Sequence, residues 1–240
     1  MGKRTKPRTR QSTRAYHHGN LIDALISAAV ELIEAKGVEN LSLRDVSKRI
    51  GVSPGAPFRH FKSKAELLTA VAEQSMSRLT EAVENALTTH GNDDPIVQLS
   101  AIGHGYLNWA LDNPTHFQII SSRTLIDFHG SKTLVQQNED IRRLMLEIVA
   151  KGQATGCVRK DASPHEVVVN ARAFAYGLAR MAVDGHFPEW HVTGAPRKAA
   201  EQALGLYVRL LMPCRKSGEA APSSQTSSMG SQKRRRSQAK

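Results

Sequence analysis

Cysteine is all but missing from this chain: two residues, Cys157 and Cys214, stand far apart in 240. That excludes a disulfide framework and any Cys-x-x-Cys metal motif, and it fits a reducing compartment. No apolar run reaches the length needed to span a bilayer, so no membrane anchor is expected. The N-terminus carries charge without a following apolar stretch, so it does not read as a secretory signal. A soluble, cytoplasmic protein is the expectation. Catalytic signatures are lacking too. There is no glycine-rich phosphate loop, nucleophile elbow or Ser/His/Asp arrangement, so neither an enzyme nor a cofactor is expected. His17, His18, His104, His116, His129, His165, His186 and His191 show neither one-turn pairing nor clustering with cysteine. No metal site is expected from them.

Acidic residues are absent from residues 1–20, which hold Lys3, Arg4, Lys6, Arg8, Arg10 and Arg14. Residues 213–240 hold seven basic residues against Glu219. These two stretches account for the formal net charge of +11, and the chain between them is nearly neutral. Residues 1–19 and 213–240, without apolar periodicity, read as disordered basic arms on a folded middle. Such arms release condensed counterions from a polyanion, which points to nucleic acid.

Between the arms the sequence is punctuated as helices, with no strand alternation, so the fold class is all-α. Asn20 is placed to cap a first helix closed by Lys36-Gly37. Ser42 and Asp45 start a second, ended by Gly51. Ser53-Pro54 opens a short third, with Phe58 and Phe61 directed one way and Arg59 and His60 elsewhere. Ser63 and Glu66 form a capping pattern for a fourth, which carries Leu67, Leu68, Val71, Leu79, Val83 and Leu87. After a break at residues 90–95, helices are expected over 96–113, 116–126, 134–152, 164–184 and 196–211, with 186–195 a loop. Residues 20–66 make a three-helix head with a helix-turn-helix, and residues 67–212 make a helical body.

The head carries the most specific chemistry. Two short helices joined by a glycine-bearing turn form the unit that reads the major groove, the second helix reaching base edges. Gly55 and Ala56 are small enough for close approach, and Ala56 suits a thymine methyl. Arg59, His60 and Lys64 are placed for phosphates. Ser42, and Lys64 with the backbone after Ser63, sit at helix starts that favour anions. Residues 42–64 hold six basic residues and one acid.

The run Leu41-Ser42-Leu43-Arg44-Asp45-Val46-Ser47-Lys48-Arg49-Ile50-Gly51-Val52-Ser53, then Phe58-Arg59-His60-Phe61-Lys62-Ser63-Lys64-Ala65-Glu66-Leu67-Leu68, resembles the DNA-binding domain of the TetR/AcrR regulators. That resemblance implies a bacterial transcriptional regulator, most often a repressor. It places Ser42, Arg44, Ser53, Gly55, Ala56, Phe58, Arg59, His60 and Lys64 at DNA-contacting positions. It also implies three partners: a double-stranded operator with an inverted repeat, a second copy of the chain, and a small-molecule effector. Phe58 stands where the family usually has tyrosine, so a phosphate hydrogen bond worth about 1 kcal/mol per half-site is missing. Pro57 replaces a common aliphatic residue and costs little if it lies in the first turn.

In the body, the resemblance implies that residues 164–184 and 196–211 form the dimer face. Tyr106, Trp109, Phe117, Phe128, Phe174 and Tyr176 are candidate pocket residues, since tyrosine and tryptophan join an apolar ring to one polar tip. Tyr106 to Pro114 with Phe117 is similar to a C-terminal domain type named for a tryptophan-histidine-glycine signature, although here Tyr176-Gly177 stands at the histidine-glycine position.

Overall fold

A computed structural model describes residues 18–90 and 94–213. The arm and tail read from the sequence lie outside the described residues, apart from their innermost positions. Among the described residues there are eight α-helices and no strand: α1 His18–Lys36, α2 Leu43–Ile50, α3 Lys64–His90, α4 Pro95–Asp112, α5 Pro114–Ser121, α6 Lys132–Thr155, α7 Pro164–Val183 and α8 Pro196–Leu210.

Most helix starts are set by side chains that satisfy otherwise unpaired backbone donors. Ser42 accepts from the Asp45 backbone N–H, Asp94 from Ile96 and Ser131 from Leu134. Ser163 and Glu166 form a reciprocal capping box at α7, with Pro164 in the first turn. Each such cap contributes about 1 kcal/mol. Gly51 ends α2 at φ 73°, and its N–H and that of Val52 bond back to the last turn. A side chain on that left-handed backbone is strained, which is why glycine sits there.

Three sequence-based expectations need correction. α1 starts at His18, so Asn20 lies inside the first turn rather than capping it. The first four N–H groups of a helix lack intrahelical partners anyway, so an extra half-turn costs no bond. Residues 186–195 are not wholly loop, because Phe187–Trp190 is a 3-10 turn that buries Phe187. The third helix of the head is not α-helical. Residues 53–56 form a turn and Pro57–Arg59 a single 3-10 turn. Pro54 and Pro57 each lack a donor and Gly55 resists helix, so too few i→i−4 bonds are left for an α-helix.

α1 packs on both α2 and α3 to form the head, and α4 is the central helix of the body, touching α3, α5, α6, α7 and α8. One continuous apolar core runs through both parts, from Leu25, Val46 and Leu67 to Leu107, Phe117 and Val149. Each fully buried leucine stabilises the fold by roughly 2 kcal/mol. α3 crosses from head to body without a break. Its apolar face holds Leu67, Leu68 and Val71 in the head, then Met76, Leu79 and Val83 in the body.

α3 and α4 approach closely at Gly105. A Cβ there would sit 3.1 Å from the Ala82 carbonyl oxygen and 3.2 Å from the Val83 Cα. Backbone cannot swing aside as a side chain can. Gly105→Val should therefore lower unfolding free energy by about 1–3 kcal/mol. Urea unfolding checks this: an unchanged midpoint would mean that α3 and α4 are not packed as described.

Candidate nucleic-acid interface and internal cavity

The exposed end of the head is built around α2 and the turn that follows. Leu43 and Val46 of α2 are buried, which leaves Ser42, Arg44, Lys48 and Arg49 facing outward. Asp45 is the hub of this end. Its carboxylate accepts from Lys36 Nζ at 2.7 Å and from Ser42 Oγ at 2.7 Å, so it ties α1 to the start of α2. Arg49 pairs with Glu31 of α1 through two hydrogen bonds. Both cations are thereby drawn toward the scaffold, whereas Arg44 and Lys48 remain outward.

The turn from Ser53 to His60 projects between α2 and α3. Ser53, Gly55 and Arg59 are exposed, and Ala56 and His60 are half-buried. The apolar anchor of this turn is Pro57, which is fully buried, together with Phe61 at 7% exposure. Phe58 is 49% exposed, so it does not point with Phe61 as the sequence pattern implied. The single 3-10 turn covers only Pro57–Arg59 and puts Pro57 on the core side, and Phe61 lies beyond its end, so helical spacing does not relate Phe58 to Phe61. Phe58 consequently lies on the same outer surface as Arg59 and Gly55. Lys64 behaves differently from a free phosphate contact: its Nζ donates to the Glu39 carbonyl at 3.1 Å and closes the turn against residues 38–40. Glu66 accepts from the Lys62 N–H and its own N–H bonds Ser63 Oγ, so the start of α3 is pinned directly behind the exposed turn.

Behind the head, the body encloses an apolar cavity of about 70 Å³ between α3, α4, α6, α7 and α8. Met76, Leu79 and Val83 of α3, Ile102 and Tyr106 of α4, Met145 of α6 and Leu204 and Tyr207 of α8 line it. A wider cleft between α5, α6 and α7 adjoins it, and Asn138, Ile141, Met145 and Arg172 line both. Arg172 stands at the junction. Its guanidinium donates to the Tyr106 hydroxyl at 2.9 Å and lies 4.9 Å from the Tyr106 ring centre. Burial raises the Tyr106 phenol above its ordinary pKa, and the Arg172 charge opposes that rise.

The six candidate pocket residues separate. Tyr106 lines the cavity and Tyr176 the cleft. Phe117 lies between them, its ring centre 6.2 Å from that of Tyr106 and 6.0 Å from that of Tyr176. Phe174 stacks on Tyr207 at 4.3 Å, and Phe128 lies under Arg123 at 4.0 Å. Trp109 is buried but lines neither space. Sequence reasoning missed Arg172, Met76, Met145 and Tyr207. The helical spacing of Met76, Leu79 and Val83 was a usable signal for the α3 wall, whereas nothing local marks Arg172 as a partner of Tyr106.

α5 connects this cavity to the head. Phe117 on one side meets the tyrosines, and the helix also packs on α1 and α3. His116 lies on α5 near Glu34 of α1 and Arg78 of α3; burial and the Arg78 charge lower its pKa.

Lys36 and Ser42 hydrogen bonds hold the Asp45 carboxyl below the usual aspartate pKa. A depressed acid adds stability above its unfolded pKa and loses it as pH falls through the folded value. Asp45→Asn should destabilise the head at neutral pH and reduce the acid sensitivity of unfolding below about pH 4. Unfolding midpoints of both proteins from pH 3 to 7 test this, and parallel curves would remove Asp45 as the hub.

Residues 25–71 match the family described as bacterial regulatory proteins, tetR family, and residues 99–207 match the tetracyclin repressor-like C-terminal domain. The chain is 21% identical over 131 residues to the uncharacterized HTH-type transcriptional regulator YobS of Bacillus subtilis, a stretch covering 55% of this chain and 65% of that one. It is 30% identical over 96 residues to the HTH-type transcriptional repressor Rv3405c of Mycobacterium tuberculosis, covering 36% of this chain and 51% of the repressor. The matched stretches thus span about half to two thirds of these relatives. A solved protein of unknown function from Rhodococcus sp. RHA1 superposes with a TM-score of 0.68 at 25% identity, covering 83% of this chain and 100% of that chain.

Proposed function

The chain belongs to the tetR family of bacterial regulatory proteins, and from that premise we propose that it is a dimeric, ligand-responsive transcriptional repressor. The observation that carries this is a protruding basic turn and an internal apolar cavity sharing one helix, α3. Ser53, Gly55, Ala56 and Phe58 are the surface offered to base edges. Ser42, Arg44, Arg59 and His60 flank them for phosphates, and Lys64 fixes the turn from behind. Phosphate contacts set register while the small residues allow the backbone close to the bases.

Pairing through α7 and α8 accounts for their outer residues. Val169, Leu206 and Leu210 are 66%, 53% and 60% exposed, an apolar surface that a monomer has no use for. A two-fold dimer presents two heads to an inverted repeat, with half-sites about 34 Å apart. An effector filling the cavity displaces α4 and α5. Phe117 carries that shift to the head, so the two turns no longer fit successive major grooves. Such coupling needs only about 1–3 kcal/mol between the two conformations.

Purified protein mixed with genomic fragments at near-physiological salt tests this. Sequencing of the retained DNA should reveal one inverted repeat. Gly55→Leu should keep its unfolding midpoint, since a Cβ there meets nothing within 4 Å, yet lose the repeat. Operator affinity should drop by about tenfold or more, the scale of a lost base-edge contact. Retention without sequence preference would reduce the protein to a non-specific DNA binder, and normal enrichment by Gly55→Leu would move the reading surface elsewhere.

A further inference from the structure

We propose that the body binds an amphipathic oxyanion, a carboxylate or phosphate ester, whose head lies between Arg123 and Arg172 and whose apolar chain enters the cavity below. This rests on the ligand-responsive reading above and names the chemistry of its effector.

The cleft between α5, α6 and α7 holds three arginines. Arg142 is committed to Glu139 through bonds of 2.7 and 2.5 Å. Arg123 and Arg172 have no carboxylate partner among the described residues. Arg172 spends one donor on the Tyr106 hydroxyl, and its Cζ lies 4.9 Å from the Tyr106 ring centre and 5.6 Å from that of Tyr176. Arg123 spends one on the Ile120 carbonyl at 2.9 Å and stacks 4.0 Å from the Phe128 ring centre. A guanidinium resting on an aromatic face keeps its N–H edge free and aimed, the geometry that grips two oxygens of a carboxylate or phosphate. Both side chains stand at the cleft mouth and are partly exposed, so a ligand head can reach them.

The two cations also act on each other. Burial and the Arg172 charge hold Arg123 below its ordinary pKa. Like charges in one cleft without a counterion repel, and a bound anion relieves that repulsion. Apart from Ser121, Asn138 and the paired Arg142, the remaining walls are mainly apolar. Ile141 and Met145 continue from the cleft into the inner cavity, where Leu79 and Leu204 take over. A bare inorganic anion leaves that apolar surface unused, and a neutral apolar molecule leaves the arginines without a partner.

Calorimetric titration of the full chain with decanoate, decyl phosphate and decanol separates these cases. The proposal expects one of the two anions to bind at least about tenfold tighter than decanol, the worth of a charge-assisted bond. The tighter anion identifies the head as carboxylate or phosphate. Arg172→Gln and Arg123→Gln should each erase most of that preference with decanol binding unchanged. Arg123→Gln guards against a folding artefact, because the exposed Arg123 bonds only the Ile120 carbonyl in the last turn of α5 and rests on Phe128. Decanol binding as well as both anions, neither anion binding, or an anion preference that survives both substitutions overturns the proposal. Retention of the operator fragment is read in parallel. Arginine-dependent anion binding that leaves DNA retention unchanged keeps this site and removes the ligand-responsive reading. Release of DNA by a neutral compound, indifferent to both arginines, does the reverse.

Discussion

The close packing of α3 on α4 is the constraint on which the rest depends. α3 is 27 residues long and contains neither glycine nor proline. It has no built-in hinge. Its first turns hold the head through Leu67, Leu68 and Val71, and its later turns wall the cavity through Met76, Leu79 and Val83. Head and cavity are thus two ends of one rod. Gly105 lets α4 lie against the last third of that rod with backbone in contact, so a movement of α4 would be passed to α3 with little slack. Close-packed interiors do not deform gradually, which on the proposed reading would turn a small event at the cavity into a discrete change at the head.

The reading turn shows how local chemistry overrides a pattern. Two prolines within four residues deny the segment the bonds of an α-helix, yet the turn is held at both ends. Gly51 and Val52 bond back onto α2, and His60 and Phe61 donate to the Pro57 carbonyl. Pro57 fills the buried position that an aliphatic residue would otherwise take. Its fixed φ also lowers the entropy lost on ordering the turn. A tight turn carrying the exposed Gly55 is the surface that the proposed function offers to a groove floor.

How much of this was legible follows from the range of the interactions. Caps and stops are local, so Ser42, Gly51, Ser163-Pro164 and Pro196 marked their helices in the right places. The α3 stripe is local in the same sense, because its residues recur at helical spacing. The orientation of Phe58 was not legible, since it depends on the helical turn ending at Arg59, before Phe61. Arg172 was invisible for another reason. On α7 it reads as one more exposed cation, and only the fold brings Tyr106, 66 residues away, under its guanidinium. The Lys64 bond to Glu39 is likewise set by how residues 38–40 return to α3.

The size of the cavity decides what a ligand must do. About 70 Å³ holds only about five waters, far short of the several hundred Å³ that an organic ligand of ordinary size occupies. An extended apolar chain cannot simply fill the inner cavity as described, although the adjoining cleft of about 540 Å³ is open to a ligand head. A ligand with such a chain must bind a state in which α4, α6 and α7 are further apart, and its affinity is reduced by the scarcity of that state. The same requirement supplies the switch. On the proposed reading, the part of the binding energy gained only in the expanded state counts as differential affinity, and an equilibrium that favours the closed form by 99 to 1 is reversed by about 5.5 kcal/mol of it. A ligand with an apolar chain gains that energy from burial deep in the body, while a charged head gains it at the cleft mouth. Arg172 touches both spaces, so it is the residue at which the two contributions are tied to one movement.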